Sequence, residues 1–331
     1  MPACPRGLWG RHYTEGPAPA STAHSSAGAQ GATAILSALT TSPHVIAVEL
    51  RPPRAELEAA AGIDAWIDTY HAIRGLVRQD VRVMVTDSAV GAQEENNLRH
   101  LVTNLGADVP RTSVVPFLTT KHSIDFCLGY ADQVVEHGFP ALVVLGGDKH
   151  VGRARAVEHA WQLRRLVRDR HPALPLGGWA NPAGDPARQV AFVGDGEFTA
   201  DFYLTQIVSH HRAGEVEAFL READRQGVAA PGMFGVFYYR SAKASTLKTL
   251  SQFLPVPVDE LSAEFAGGAT PVDVCAQSIR VLMSLGVRHF YVSNLPLVRT
   301  AAVLQQILRR AGLDVGLGVE QPPASTRMGS F

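Results

Sequence analysis

The sequence predicts an α/β fold in which eight parallel strands close into a barrel, a (βα)8 TIM barrel with disordered N-terminal and C-terminal tails. Three observations carry that expectation. Short apolar, β-branched runs alternate with amphipathic stretches from residue 32 to residue 312, the signature of repeated βα units. That span is close to the ~250 residues such barrels use. The first strand is followed by two prolines rather than the Gly-rich phosphate loop of a doubly wound open sheet, the competing architecture.

The strands are read at Val45–Glu49, Val81–Thr86, Thr112–Leu118, Ala141–Leu145, Leu174–Ala180, Ala200–Gln206, Gly232–Phe237 and Val287–Ser293. Helical periodicity falls between them, at Ile63–Val77, Gln93–Leu105, Ser123–His137, Ala154–Asp169, Gly214–Gln226, Ala242–Phe253 with Pro271–Leu285, and Leu297–Ala311. Leu163, Leu166 and Val167 make one apolar face, and Leu304, Ile307 and Leu308 another. A short helix is expected over Ala32–Thr40, ahead of the first strand. The Pro- and Gly-punctuated stretch Asn181–Gly196 has little helical periodicity, so the helix after strand five is expected to be short or missing. Residues 1–31, rich in Ala, Ser, Gly and Pro, and residues 313–331 read as flexible tails around a single catalytic domain, 32–312.

A chain of 331 residues that is 46% hydrophobic, with a formal net charge of -1, has ordinary globular composition and little attraction for nucleic acid or a membrane surface. No apolar run approaches the roughly 18 residues of a membrane helix, and Arg6 and Arg11 are followed by no apolar signal core. Cys4, Cys127 and Cys275 are far apart and in no ligand spacing. A reduced, cytoplasmic protein acting on a small molecule is therefore expected. A homo-oligomer is compatible with all of this.

In a barrel, the C-terminal ends of the strands face one cavity. Here those ends carry Glu49, Thr86 with Asp87, Thr119, Asp148, Trp179 with Asn181, Gln206, the run Phe237-Tyr238-Tyr239, and Asn294. The set mixes acids, neutral hydrogen-bonding groups and aromatics. It suits a flat ring system with polar edges. Pro52 and Pro53 stop the first strand and hold the Glu49 carboxylate on a stiff turn at the mouth. No metal site is expected: no His/Cys pair has ligand spacing, and His210-His211, if on a strand, would point to opposite faces.

The ordered motifs Val48-Glu-Leu-Arg-Pro-Pro-Arg54, Val85-Thr86, Pro116-Phe-Leu-Thr119, Leu145-Gly-Gly-Asp148, Thr205-Gln206, Pro231-Gly-Met-Phe234 and Gly286-Val-Arg-His-Phe-Tyr291 with Asn294 resemble those of the methylenetetrahydrofolate reductases. Each is weak alone; together, in register with eight strands over about residues 32–311, they are fairly specific. The resemblance implies a flavoprotein of one-carbon metabolism and methionine biosynthesis. It would bind FAD and reduce 5,10-methylenetetrahydrofolate to 5-methyltetrahydrofolate with NADH or NADPH.

What the resemblance implies for residues is as follows. Glu49 matches the acid that protonates the departing folate nitrogen; the competing reading is a carboxylate paired with Arg51 or Arg54. Asp148 matches the aspartate beside the flavin ring, against a reading as a helix N-cap. Gln206 matches the glutamine that meets nicotinamide and pterin in turn, against a satisfied core amide. Thr86, Phe117, Gly147, Asp148, Trp179, Asn181 and Arg188 fall at cofactor positions. Glu49, Gln206, Tyr239, Asn294 and Arg299 fall at substrate positions.

The chain departs from that family at several points. Gly146, Phe117 and Trp179 stand where the family has arginine, histidine and tyrosine, and Leu295 replaces the arginine that meets the folate tail, with Arg299 a turn further on. The basic segment that meets the FAD diphosphate keeps Arg188 alone. FAD held by Lys149, Arg153 or Arg188, FAD held weakly, and direct hydride transfer from NAD(P)H without a flavin all follow; of these, a retained flavin is favoured. A non-catalytic folate- or flavin-binding partner subunit and a folate-dependent methyl transferase are the alternatives of other classes.

Overall fold

The computed structural model describes residues 35–53, 57–87 and 97–313; the proposed tail 1–31, residues 314–331 and Arg54 lie outside them, while Leu313, read as the start of the C-terminal tail, is buried and donates its N–H to Leu308 O at 2.9 Å. Eight strands close into a barrel in sequence order: β1 (Val45–Leu50), β2 (Arg82–Val85), β3 (Val114–Thr119), β4 (Leu142–Leu145), β5 (Leu176–Ala180), β6 (Phe202–Val208), β7 (Gly232–Phe237) and β8 (His289–Ser293). Every neighbouring pair is parallel, and β8 returns to β1 with Ala47 opposite Tyr291 and Glu49 opposite Ser293.

The helices are α1 (residues 35–41), α2 (Ala59–Val77), α3 (Asn97–Asn104), α4 (Ile124–Glu136), α5 (Ala160–Arg170), α6 (Pro186–Gly194), α7 (Ala213–Gln226), α8 (Ala244–Leu250), α9 (Val258–Ala266), α10 (Pro271–Ser284) and α11 (Thr300–Ala311). Their starts follow local chemistry. Ser123 caps α4 by accepting from Phe126 N–H. Asp185 caps α6, with Pro186 in its first turn. Thr270 and Asp273 form a reciprocal capping box on α10.

Strand alternation splits the apolar residues into two layers. Ile46, Val48 and Leu50 of β1 face outward and join the core beneath the helices. Val45, Ala47, Met84, Val115, Phe117, Val143, Phe202, Leu204, Met233 and Tyr291 fill the barrel itself. Ile35 and Leu39 of α1 belong to the same inner cluster and so close the floor. There Val45 N–H donates to His289 Nδ1 at 3.1 Å, and burial pushes that imidazole down to about 4, leaving it neutral.

The helix after β5 is short, nine residues, as expected. Two differences from the expected elements bear on the site. α5 begins at Ala160, capped by His159 and Gln162, rather than at Ala154. The residues ahead of it form a loop pinned by Lys121 and Arg155 to carbonyl oxygens. α9, after Pro257 and opened by Asp259 and Glu260, is an additional helix.

Inside the barrel, the Tyr291 phenol crosses to Thr205 O at 2.5 Å. It has room because the facing residue on β7 is Gly235: a methyl group there would collide with Tyr291 Cζ and Oη. Gly235→Ala is expected to lower stability by roughly 1–3 kcal/mol, the usual cost of overpacking a filled core. Urea unfolding of the variant measures it, and an unchanged midpoint would show that Tyr291 can move aside.

Candidate active site

Glu49 is the inward-facing residue at the top of β1, level with the buried Ser293 on β8 and one pleat above Tyr291. Burial pushes its carboxyl above the ordinary glutamate value of 4.5. Arg51, as a nearby positive charge, and the Ser293 hydroxyl, as a hydrogen-bond donor, oppose that shift without cancelling it. Arg51 itself is exposed. The carboxyl thus keeps its proton to a higher pH than an ordinary glutamate.

The β7–β8 side brings aromatics and a rigid rim. Tyr239 is buried, its ring 4.8 Å from that of Phe237. Its hydroxyl is buried with no hydrogen-bond partner among the described residues. Asn294 adopts a left-handed conformation, φ 68°, and its Nδ2 donates to Tyr238 O at 3.0 Å. Its amide therefore ties β8 to β7. Arg240 donates to the carbonyls of Asn294 and Leu295. Arg299 is exposed at the start of α11, also with positive φ, 66°.

Between β2 and β3, Asp87 and Thr119 join a residue that the motifs and strand ends do not include, His122. Asp87 Oδ2 accepts from Thr119 N–H at 2.7 Å and from Thr119 Oγ1 at 2.8 Å, and it meets His122 Nε2 at 2.8 Å. His122 is buried against Phe126, and its Nδ1 has no partner. The polar run Thr119-Thr-Lys-His122, directly after an apolar strand, is the sequence signal for it. Thr86 N–H pairs with Leu50 O at 3.0 Å, and Phe117 is buried within the barrel.

On the β4–β5 side the polar groups are largely occupied. Asp148 Oδ1 accepts from the N–H groups of His150 and Val151 at 2.7 and 2.9 Å, which holds its carboxyl below the usual range. It caps a turn; the next helix begins only at Ala160. Gly147 has φ 71°, and its carbonyl accepts from Arg155 Nη2 at 2.5 Å. The Arg155 guanidinium also lies 2.8 Å from where a Cβ at Gly146 would be, so it fills the space a side chain there would need. The buried Lys121 ammonium donates to Val151 O and Arg153 O. Trp179 packs partly buried against the inner cluster. Asn181 accepts from Ala183 N–H through Oδ1. Lys149, Arg153 and Arg188 are exposed.

β6 carries a bulge. Leu204 pairs with Met233 and Ile207 with Gly235, so Thr205 and Gln206 together oppose Phe234. Gln206 Oε1 accepts from the next backbone N–H, Ile207, at 2.9 Å. Beyond β6, His210 and His211 lie on a 3-10 turn rather than a strand, their rings 3.9 Å apart.

Comparison with known structures finds a protein from Clostridium thermocellum of uncharacterised function, described as binding two copies of 5-methyl-5,6,7,8-tetrahydrofolic acid. It aligns with a TM-score of 0.59 at 16% identity, covering 84% of this chain and 99% of its own. At that identity the likeness is one of fold. No protein-family model matches the sequence, and no curated protein does.

The raised Glu49 carboxyl has a thermodynamic consequence. Between the ordinary value and its native one, the folded chain keeps a proton that the unfolded chain has lost, so stability falls as pH climbs through that window. Glu49→Gln removes this loss. The variant's stability relative to the parent is expected to grow between pH 4 and pH 8, by about 1.4 kcal/mol for every tenfold by which folding weakens the acid. Urea midpoints at both pH values check it; an equal difference at each would mean the carboxyl titrates normally.

Proposed function

We propose that the barrel mouth binds a reduced folate and that Glu49 is the acid of a methylenetetrahydrofolate reductase reaction. The observation that carries this reading is a proton-holding carboxyl at the inner end of β1, backed by Ser293 and Tyr291. The protonated carboxyl donates to the folate nitrogen as its bond to the bridging carbon breaks. The methylene iminium left behind accepts hydride from NADH or NADPH, giving the methyl product and the oxidised nucleotide. Glu49 regains its proton from water.

Two further features support a folate ligand. The buried Tyr239 hydroxyl without a partner is a hydrogen-bonding atom that a polar-edged ring can satisfy. The structurally similar Clostridium thermocellum protein is described as a methyltetrahydrofolate binder. Thr119, Asn294 and Ser293 surround the opening with neutral groups, in keeping with an uncharged pterin.

The positions that the resemblance gives to FAD fit that cofactor poorly. A diphosphate wants free Arg or Lys donors or a helix N-terminus. Lys121 and Arg155 already serve backbone carbonyls, and the Asp148 carboxylate serves its own turn. Lys149, Arg153 and Arg188 are exposed rather than gathered into a cradle. Hydride passing directly between nicotinamide and folate is therefore the form of the reaction that agrees with the site.

A second reading, a folate-binding barrel without turnover, is favoured by one observation: the Gln206 amide oxygen is engaged by its own strand. The purified chain distinguishes them. Colourless protein that oxidises NADH or NADPH only with methylenetetrahydrofolate present is the expected result. Glu49→Gln should lower kcat about 10²- to 10⁴-fold. Tyr239→Phe should weaken folate binding by about 1 kcal/mol, roughly fivefold. Folate binding with no oxidation supports the binder, and absence of folate binding overturns both.

A further inference from the structure

At the rim above β6, two imidazoles and one carboxylate converge. His210 Nε2 meets Glu264 Oε1 at 2.9 Å, and His211 Nε2 meets Glu264 Oε2 at 3.2 Å. The histidines come from the 3-10 turn after β6 and the glutamate from α9. The donor atoms of the three side chains all lie within 4.8 Å of one another. Both rings are nearly buried, their side chains 10% and 12% exposed, and Glu264 is partly so at 28%.

We propose that His210, His211 and Glu264 form a divalent transition-metal site, with zinc the ion the donors favour. Zinc bonds imidazole nitrogen and carboxylate oxygen at about 2.0–2.2 Å, which places tetrahedral ligands a little over 3 Å apart, close to the two histidine–glutamate distances here. Two nitrogens and one oxygen discriminate against magnesium and calcium, which take all-oxygen shells. Three protein ligands leave the fourth position to water.

The site also has an orienting group behind it. His210 Nδ1 lies 2.9 Å from the Ser278 hydroxyl on α10. Metal at Nε2 requires the His210 proton on Nδ1, and Ser278 Oγ then accepts it. This is the outer-shell bond that fixes the tautomer of a metal-binding histidine. In the metal-free chain the same hydroxyl turns to donate to Nδ1, while Nε2–H donates to Glu264. Both states satisfy every atom named, so binding needs only a proton to change places on each ring.

Neighbouring histidines would diverge on a strand. They converge because the 3-10 turn, held by Ser209 Oγ accepting from His211 N–H, brings the rings side by side, tilted by 37°. A bound ion would clamp this turn to α9, and Arg212 of the same turn is the positive charge that acts on Tyr239. The clamp would therefore steady the rim next to the mouth.

The test uses untagged, chelator-treated full-length protein. Zinc chloride is titrated against a chromophoric chelator, with magnesium chloride as control and cobalt(II) as a spectroscopic probe of nitrogen ligation. One zinc per chain is expected, with cobalt d–d bands and a raised melting temperature that magnesium does not give. His211→Ala and Glu264→Gln should each weaken zinc binding at least tenfold, and Ser278→Ala by about 10-fold or more. Circular dichroism establishes that each variant folds, and Glu264→Gln preserves the shape if His211→Ala does not. Zinc affinity unchanged in the folded variants, equal stabilisation by magnesium, or no stoichiometric uptake would overturn the assignment.

Discussion

Closure of β8 onto β1 is the constraint on which the rest depends. The register that sets Ala47 against Tyr291 and Glu49 against Ser293 joins residues some 244 positions apart. Without it β1 would be an edge strand, and Glu49 an ordinary solvated carboxylate. With it, the carboxyl sits over a plugged interior: Tyr291 below, a buried serine alongside, and an apolar inner layer reaching down to Ile35 and Leu39. Desolvation is the largest influence on Glu49 because the barrel is packed solid beneath it.

The packing that permits this is specific in small ways. Gly235 leaves space for Tyr291, whose hydroxyl then reaches the carbonyl of Thr205 within the β6 bulge. The bulge absorbs one extra residue and ties Gln206 back onto the chain. One aromatic side chain therefore links the floor under the acid to the irregularity that sets the opposite strand end.

Much of this is legible in the sequence. The eight strands are readable because buried parallel strands are short apolar runs bounded by breakers, and a single shift of period from 3.6 to 2 marks each boundary. The Glu49 position is readable because Pro52 and Pro53 end its strand. Contacts between distant loops are not. His122 gains its meaning only when β2 brings Asp87 beside it. The missing arginine at Gly146 looks like a lost charge, yet Arg155 returns a guanidinium to the same space from nine residues on. Asp148 and Gln206 look available as letters, while Asp148 commits one carboxylate oxygen to two backbone N–H groups and Gln206 its amide oxygen to one. His210 and His211, past the strand expected to end at Gln206, do not show as a converging pair because nothing local announces a 3-10 turn.

The polar groups of the mouth are unevenly committed, and this decides where a ligand gains most. On the β4–β6 side Asp148, Lys121, Arg155, Asn181 and Gln206 already hold internal hydrogen bonds. A ligand that bonds to these must first break what is there, so the net gain is small. On the β7–β8–β1 side the Tyr239 hydroxyl has no partner among the described residues, and desolvation raises the Glu49 carboxyl above the ordinary glutamate value. Groups in that condition carry a cost in the empty protein that binding removes. A polar ligand entering the mouth therefore gains more beside Tyr239 and Glu49 than against those groups of the β4–β6 wall that are already bonded.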